Sequence, residues 1–162
     1  MSRDLTTAVQ NELSANELQP FFAVKLNFDS GDLRLWTGYG DITVDSETYT
    51  GGGQLLNISQ IEETVEIAAR GITFSLNGVD SSLVSLALTE NYQTRSAKLY
   101  LGVLSSGAVV SSPYELFDGR MDVLSIDDSG DTATITLTAE SRLIDLERPR
   151  LRRYTSEDQK LR

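Results

Sequence analysis

The 162-residue chain carries 24 Asp and Glu against 14 Lys and Arg, a formal net charge of −10, and has neither histidine nor cysteine. Those two absences exclude disulfides, thiolate metal sites and cysteine nucleophiles, and remove the usual acid–base group near neutral pH. The length suits one domain plus an arm, and no apolar run approaches the ~18–20 residues that cross a membrane or forms the block of a secretory signal, so a soluble protein made in the cytoplasm is expected.

Leu5, Val9 and Leu13 recur every four residues and predict a short amphipathic helix over 3–16. Pro20 bars its continuation. A helix this short is marginal in water, so it must dock on its own sheet or on another subunit.

From Phe21 the period changes to two. Phe22, Val24, Leu26 and Phe28 alternate with Ala23, Lys25 and Asn27, which predicts a strand. Asp29–Asp32 is a turn, and Leu33–Trp36 is the return strand. Residues 41–50 form a polar hairpin turning at Asp45-Ser46, followed by a flexible loop at Gly51, Gly52 and Gly53.

Val65, Ile67 and Ala69 are apolar at odd positions, whereas Ile72, Phe74 and Leu76 are apolar at even ones. A phase flip at Arg70-Gly71 predicts a bulge or bend of the kind that curls a sheet. Asp80 is an N-cap for a short inserted helix carrying Leu83, Leu86 and Leu88. Strands resume at Ala97–Val103, turn at Ser105–Gly107, and run long over Phe117–Ile126 with Gly119 as a candidate kink. Residues 132–140 alternate most regularly, with Ala133, Ile135, Leu137 and Ala139 inward and threonines outward. The sum is a mainly β chain, an antiparallel β-barrel or sandwich with an N-terminal helix and one short inserted helix. The expected units are a docking helix over 1–18, a β domain over 19–146 and a basic arm over 147–162.

Charge is divided along the chain. Residues 1–141 hold 20 acidic and 7 basic side chains, whereas residues 142–162 hold 4 acidic and 7 basic ones. Arg148, Arg150, Arg152, Arg153 and Tyr154 make the arm a grip for an acidic neighbouring subunit, since arginine forks suit carboxylates. The same arginines suit nucleic-acid phosphates, but the acidic body repels them.

Few residues offer chemistry. Asp118 and Asp122 with Arg120 between them fit either a carboxylate hydrolase or cross-strand ion pairs, and the pairs are favoured. Asp127–Asp131 is rich in carboxylates, but the twelfth position of a calcium loop counted from Asp127 is Thr138. No metal and no cofactor is expected. Trp36, Tyr39 and Tyr49 form a candidate glycan platform, with barrel core or interface the favoured alternative.

Over Gly119–Asp122, Thr134–Ser141, Leu146–Arg150 and Arg153–Gln159, the chain resembles tail-tip proteins of long-tailed bacteriophages. The relevant group is the baseplate-hub family, which also occurs in gene transfer agents. The helix, Phe22–Phe28, Leu35–Asp41, Tyr49 and Ile72–Leu76 extend the likeness over nearly the whole chain. The resemblance implies a tail-tube-like β-barrel whose copies form a ring at the distal end of a tail. Its partners would be the tube or distal tail protein and the central fibre, with DNA passing through without specific binding.

A trimer is expected from this likeness, with a hexameric distal tail ring as the close alternative and a host-glycan-binding β-sandwich as the alternative of another class. Relatives that bind an iron–sulfur cluster do so through cysteines, which are lacking here, so a short or truncated version without cofactor is implied. The subunit-interface residues expected are Leu5, Val9, Leu13, Gly51, Gly52, Gly53, Arg148, Arg150, Arg152, Arg153 and Tyr154. The expected location is the virion, and the expected role is structural rather than enzymatic.

Overall fold

The computed structural model describes residues 6–14, 18–52, 55–59, 71–77, 89–128 and 133–142. The elements set out among the described residues are a helix, α1 (Thr7–Leu13), and ten strands. These are β1 (Gln19–Phe28), β2 (Gly31–Trp36), β3 (Tyr39–Val44), β4 (Glu47–Gly52), β5 (Leu55–Ile58), β6 (Gly71–Asn77), β7 (Ser96–Ser105), β8 (Ala108–Val109), β9 (Tyr114–Asp128) and β10 (Ala133–Ser141). The chain is mainly β, as its alternation predicts.

The hydrogen-bonded order is β3-β4-β2-β1-β7-β9-β10-β6-β5, with β8 beside β7. Every ladder is antiparallel except a parallel contact of β2 with β4 at Leu35 and Thr50. Among the described residues no ladder joins the two ends, so the sheet curls without closing.

Curling follows from where the apolar residues fall. Val24, Leu26 and Phe28 of β1, Leu35 of β2, Leu99 of β7, Met121 of β9, Leu137 of β10 and Phe74 of β6 share one core. Leu33 of β2 and Ile58 of β5, from opposite regions of the ladder, both pack on it. A sheet can bury such distant strands together only by wrapping around them. Each side chain fully removed from water there stabilises the fold by about 1.5–3 kcal/mol.

Two bulges in β9 assist the bend. Leu116 is extra between the Leu99–Phe117 and Tyr100–Glu115 pairs, and Asp122 with Val123 face Thr138 alone. Gly119 lies between the bulges and is not itself the irregularity. A Cβ there would strike the Phe117 ring and the Glu140 carbonyl, so the glycine permits close packing.

A second core lies on the opposite face of β1. Phe21, Ala23, Trp36, Val44 and Tyr49 are buried together, with Tyr100 and Val109 at the margin. Phe21 meets Trp36 edge to face at 5.9 Å. The β3–β4 hairpin therefore covers β1 and β2 from outside, and β1 is buried on both faces over Phe21–Val24, apart from Phe22.

The hairpin turns where its sequence predicts. Asp45 (φ 49°) and Ser46 (φ 68°) both take the left-handed conformation that a two-residue turn of this twist demands. Ser106 and Gly107 repeat the device between β7 and β8. Ser112 Oγ donates to Asp45 Oδ1 at 2.6 Å, tying the first tip to the segment after β8.

α1 is shorter than the predicted 3–16 among the described residues. Thr6 caps it, accepting from the Val9 amide at 3.5 Å, and Thr6 Oγ1 lies 3.0 Å from Ser111 Oγ. Val9 is buried and the helix rests on β7 of its own chain. Leu5, the phase flip before Gly71, the inserted helix at 80–88 and the whole arm from 143 onward lie outside the described residues.

Candidate functional site

The outer face of the sheet carries an ordered ribbon of charge. Lys25 of β1 stands opposite Arg34 of β2 and Lys98 of β7, and Lys98 stands opposite Asp118 of β9. Because side chains on one sheet face align across strands, these residues meet in a row. Lys25 Nζ donates to both Glu47 oxygens at 2.5 and 2.8 Å and lies 3.4 Å from Asp32. Arg34 bridges Asp32 at 2.7 Å and Glu47 at 3.2 Å. Lys98 pairs with Glu115 at 2.7 Å and lies 3.7 Å from Asp118. Arg142 Nε lies 3.1 Å from Asp118 Oδ1 without the alignment of a hydrogen bond, so that contact is electrostatic.

The electrostatics follow. The hydrogen bond from Lys25 holds the Glu47 carboxyl below its ordinary value of 4.5, against the opposing effect of burial. Burial pulls the Lys25 ammonium down, but Glu47 and Asp32 outweigh it and the net shift is upward. The hydrogen bond to Glu115 raises Lys98. Burial raises the Tyr49 and Tyr100 phenols, so both stay neutral.

Lys25, Arg34, Lys98 and Arg142 balance Asp32, Glu47, Glu115 and Asp118, so the ribbon is close to neutral. It fastens the β3–β4 hairpin, through Glu47, to β1 and β2. Asp118 is thus engaged by two cations and Arg120 donates to the Thr94 carbonyl at 2.9 Å. Asp118 is therefore an ion-pair residue, Arg120 bonds a backbone carbonyl, and Asp122 sits apart in the second bulge. Among the described residues no group of three or more His, Cys, Asp or Glu is arranged to hold a metal ion, and no helix is long and apolar enough to cross a membrane.

The three aromatics of the candidate glycan platform do not assemble. Trp36 is 7% exposed and Tyr49 is 3% exposed, both in the second core, while Tyr39 is 85% exposed. Burial of two rings against Phe21 and Val44 is what removes the platform.

The expected flexible loop is also absent where it is described. Gly51 and Gly52 pair with Gly40 and Tyr39 as residues of β4. Gly51 is buried beneath Trp36, and a Cβ there would strike the Gly38 carbonyl oxygen and the indole nitrogen. Gly53 lies outside the described residues, as do Leu5, Arg148, Arg150, Arg152, Arg153 and Tyr154. Leu13 closes α1, and its side chain is likewise outside.

Phe22 departs from its expected place. It has the inward phase of Val24 and Leu26, yet it is 36% exposed. It borders an open cleft of about 490 Å³ with Leu101, Leu116 and Ile58, where β1 and β5 approach across the unclosed side of the sheet.

The sequence points to packed positions for Trp36 and Tyr49 and to an ion pair for Asp118, but not to the separate core and the extended charge ribbon that they join. Four consecutive apolar residues, Phe21–Val24, were the available signal, since an unbroken run marks a strand buried on both sides.

No family model and no curated protein matches the chain. Among solved structures it is similar to a chain from the virion of a native gene transfer agent particle, with a TM-score of 0.67 and 12% identity over 92% of this chain. The match covers 49% of the virion chain, so this chain spans about half of its length. At that identity the shared property is the fold.

Proposed function

We propose that this chain is a structural protein of a phage-like virion, and within it a ring subunit of the tail tip of the baseplate-hub type. The observation that carries this reading is the fold correspondence with a chain of a gene transfer agent virion over 92% of the length. The tail-tip resemblance of Gly119–Asp122 and Arg153–Gln159 agrees with it. So does the architecture, in which β5 ends the ladder among the described residues and has an edge to offer a neighbour. Copies repeating one contact head to tail close into a ring when the rotation permits.

In this reading the ring links the tail tube or distal tail protein to the central fibre, works without chemistry or cofactor, and lets DNA pass. The excess carboxylates of residues 1–141 favour passage over gripping, because like charges repel phosphate. The arm at Arg148, Arg150, Arg152 and Arg153 holds an adjacent subunit. Trimeric order is the first reading, and a hexameric distal tail ring is the second.

Charge reversal of Arg150, Arg152 and Arg153 to Glu tests the reading. Loss of assembly with an unchanged far-ultraviolet spectrum and melting midpoint supports it. Undiminished incorporation into particles removes the arm from the account, and absence of the unaltered chain from purified particles removes the virion role.

A further inference from the structure

Among the described residues the most exposed aromatic side chain, Tyr39, stands on a rigid mount. Tyr39 is 85% exposed, yet the loop beneath it is fixed. The Trp36 indole N–H donates to the Gly40 carbonyl at 2.7 Å. Gly38 and Gly51 approach the indole so closely that neither has room for a Cβ, and Gly40 takes φ +74°. A side chain ordered before its partner arrives loses less entropy on binding, and tyrosine is among the residues that most often anchor interfaces.

Asp41 lies two residues further along β3, so it leaves the strand on the same face about 7 Å away. It is exposed and has no cation partner among the described residues. Thr43, Thr48 and Thr50 continue this face and are exposed. The surface therefore differs from the charge ribbon, where every carboxylate already has a cation.

An aromatic face with a carboxylate one strand repeat away suits guanidinium groups, which stack on rings and fork onto carboxylates. The chain supplies that chemistry in Arg148, Arg150, Arg152 and Arg153. Pro149 favours an extended backbone at this point. The charge of these arginines complements the Asp41 carboxylate and their planar groups the Tyr39 ring, which singles out this segment as the occupant.

We propose that the Tyr39–Asp41 face of β3 is the seat for Arg150 and Arg152 of a second copy of this chain. The proposal rests on the ring-subunit reading and names the contact that would join neighbours. Arg150 stacks on the Tyr39 ring, and Arg152 forks onto Asp41.

The absence of cysteine makes the test direct, because any engineered thiol is the only one on its chain. Full-length Tyr39→Cys and Arg150→Cys variants are mixed under oxidising conditions, with Ser105→Cys plus Arg150→Cys as the control pair. The expected result is a disulfide between the two variants at roughly ten times the control yield, the ratio that about 1.4 kcal/mol of preference produces. A yield no higher than the control overturns the proposal. So does a disulfide that forms within a Tyr39→Cys, Arg150→Cys double variant but not between the two single variants.

A charge exchange gives the second arm. Asp41→Arg should weaken self-association, and Asp41→Arg combined with Arg152→Asp should restore it; failure of the restoration also overturns the proposal. The mass of the unaltered chain in solution, measured alongside, separates the two levels. Assembly without the disulfide removes this seat and leaves the ring reading standing, whereas an unaltered chain that stays monomeric both in solution and in particles removes both.

Discussion

The carbonyl oxygen of Gly40 accepts the indole N–H of Trp36 at 2.7 Å, and this bond joins the second core to the start of β3, beside the exposed Tyr39. The ring is immobilised from below by Phe21 and from above by Gly38 and Gly51. Order is thus carried from β1 to the start of β3 through one side chain.

Gly51→Ala should therefore destabilise the chain by about 1–3 kcal/mol, the usual cost of forcing extra volume into a packed site. Urea unfolding followed by tryptophan fluorescence measures it, since Trp36 is the only tryptophan. Thr48→Ala on the exposed face of the same hairpin should change stability by less than about 0.5 kcal/mol. Equal effects at the two positions would contradict the packing described.

Phe74→Ala should cost about 3–5 kcal/mol, because the ring is fully buried in the first core. The sheet wraps around that core, so β2 and β6 should lose structure in a single transition. Circular dichroism and Trp36 fluorescence would then give coincident melting curves. Separate transitions would mean that the two ends of the ladder fold independently.

Acid should loosen the β3–β4 hairpin. The folded-state Glu47 carboxyl lies below its ordinary value of 4.5, so its stabilisation is full above that pH and is lost as pH falls through the lower folded value. Glu47→Gln should flatten this part of the stability–pH curve while leaving the rest. The effect is modest, since partly exposed pairs are screened by water and salt. An unchanged slope would show that the Lys25–Glu47 contact does not persist in solution.

Sequence periodicity was most legible where one face of a strand meets the core and the other meets water. β10 is such a strand, with Ile135, Leu137 and Ala139 buried and Thr134, Thr136 and Thr138 half-buried between them. Both two-residue turns, at Asp45-Ser46 and Ser106-Gly107, were also legible, because small polar residues and glycine tolerate the left-handed backbone. β1 was read less well. Its odd positions begin with Phe21 and Ala23 in a second core and continue with Lys25 in an ion-pair cluster, and no local pattern distinguishes such a face from solvent.

Consecutive glycines usually mark a loop, yet Gly51 and Gly52 belong to β4. Here the missing Cβ at Gly51 serves the approach of an indole from another strand, a long-range fact absent from the local sequence. Phe22 shares the phase of Val24 and Leu26, which are buried. Its exposure comes from the cleft where the curl stops short, which depends on strands far apart in the chain. Asp118 was assigned to an ion pair and forms two, because its register with Lys98 places both charges on one face.

Salt should weaken self-association more than folding. Contacts between exposed arginines and carboxylates are screened over ~8 Å at physiological ionic strength and over ~3 Å at 1 M, whereas the apolar cores are not. Sedimentation of the full chain across a salt series should show dissociation before any change in its spectrum. Dissociation that requires unfolding would place the contacts between copies in the cores.

The deciding measurement is the mass of the complex isolated from purified particles, with the number of copies of this chain it contains. A closed set of identical copies, three in the first reading and six in the second, bound to other tail proteins, is the predicted result. A single copy per complex, or a chain absent from particles, would contradict it.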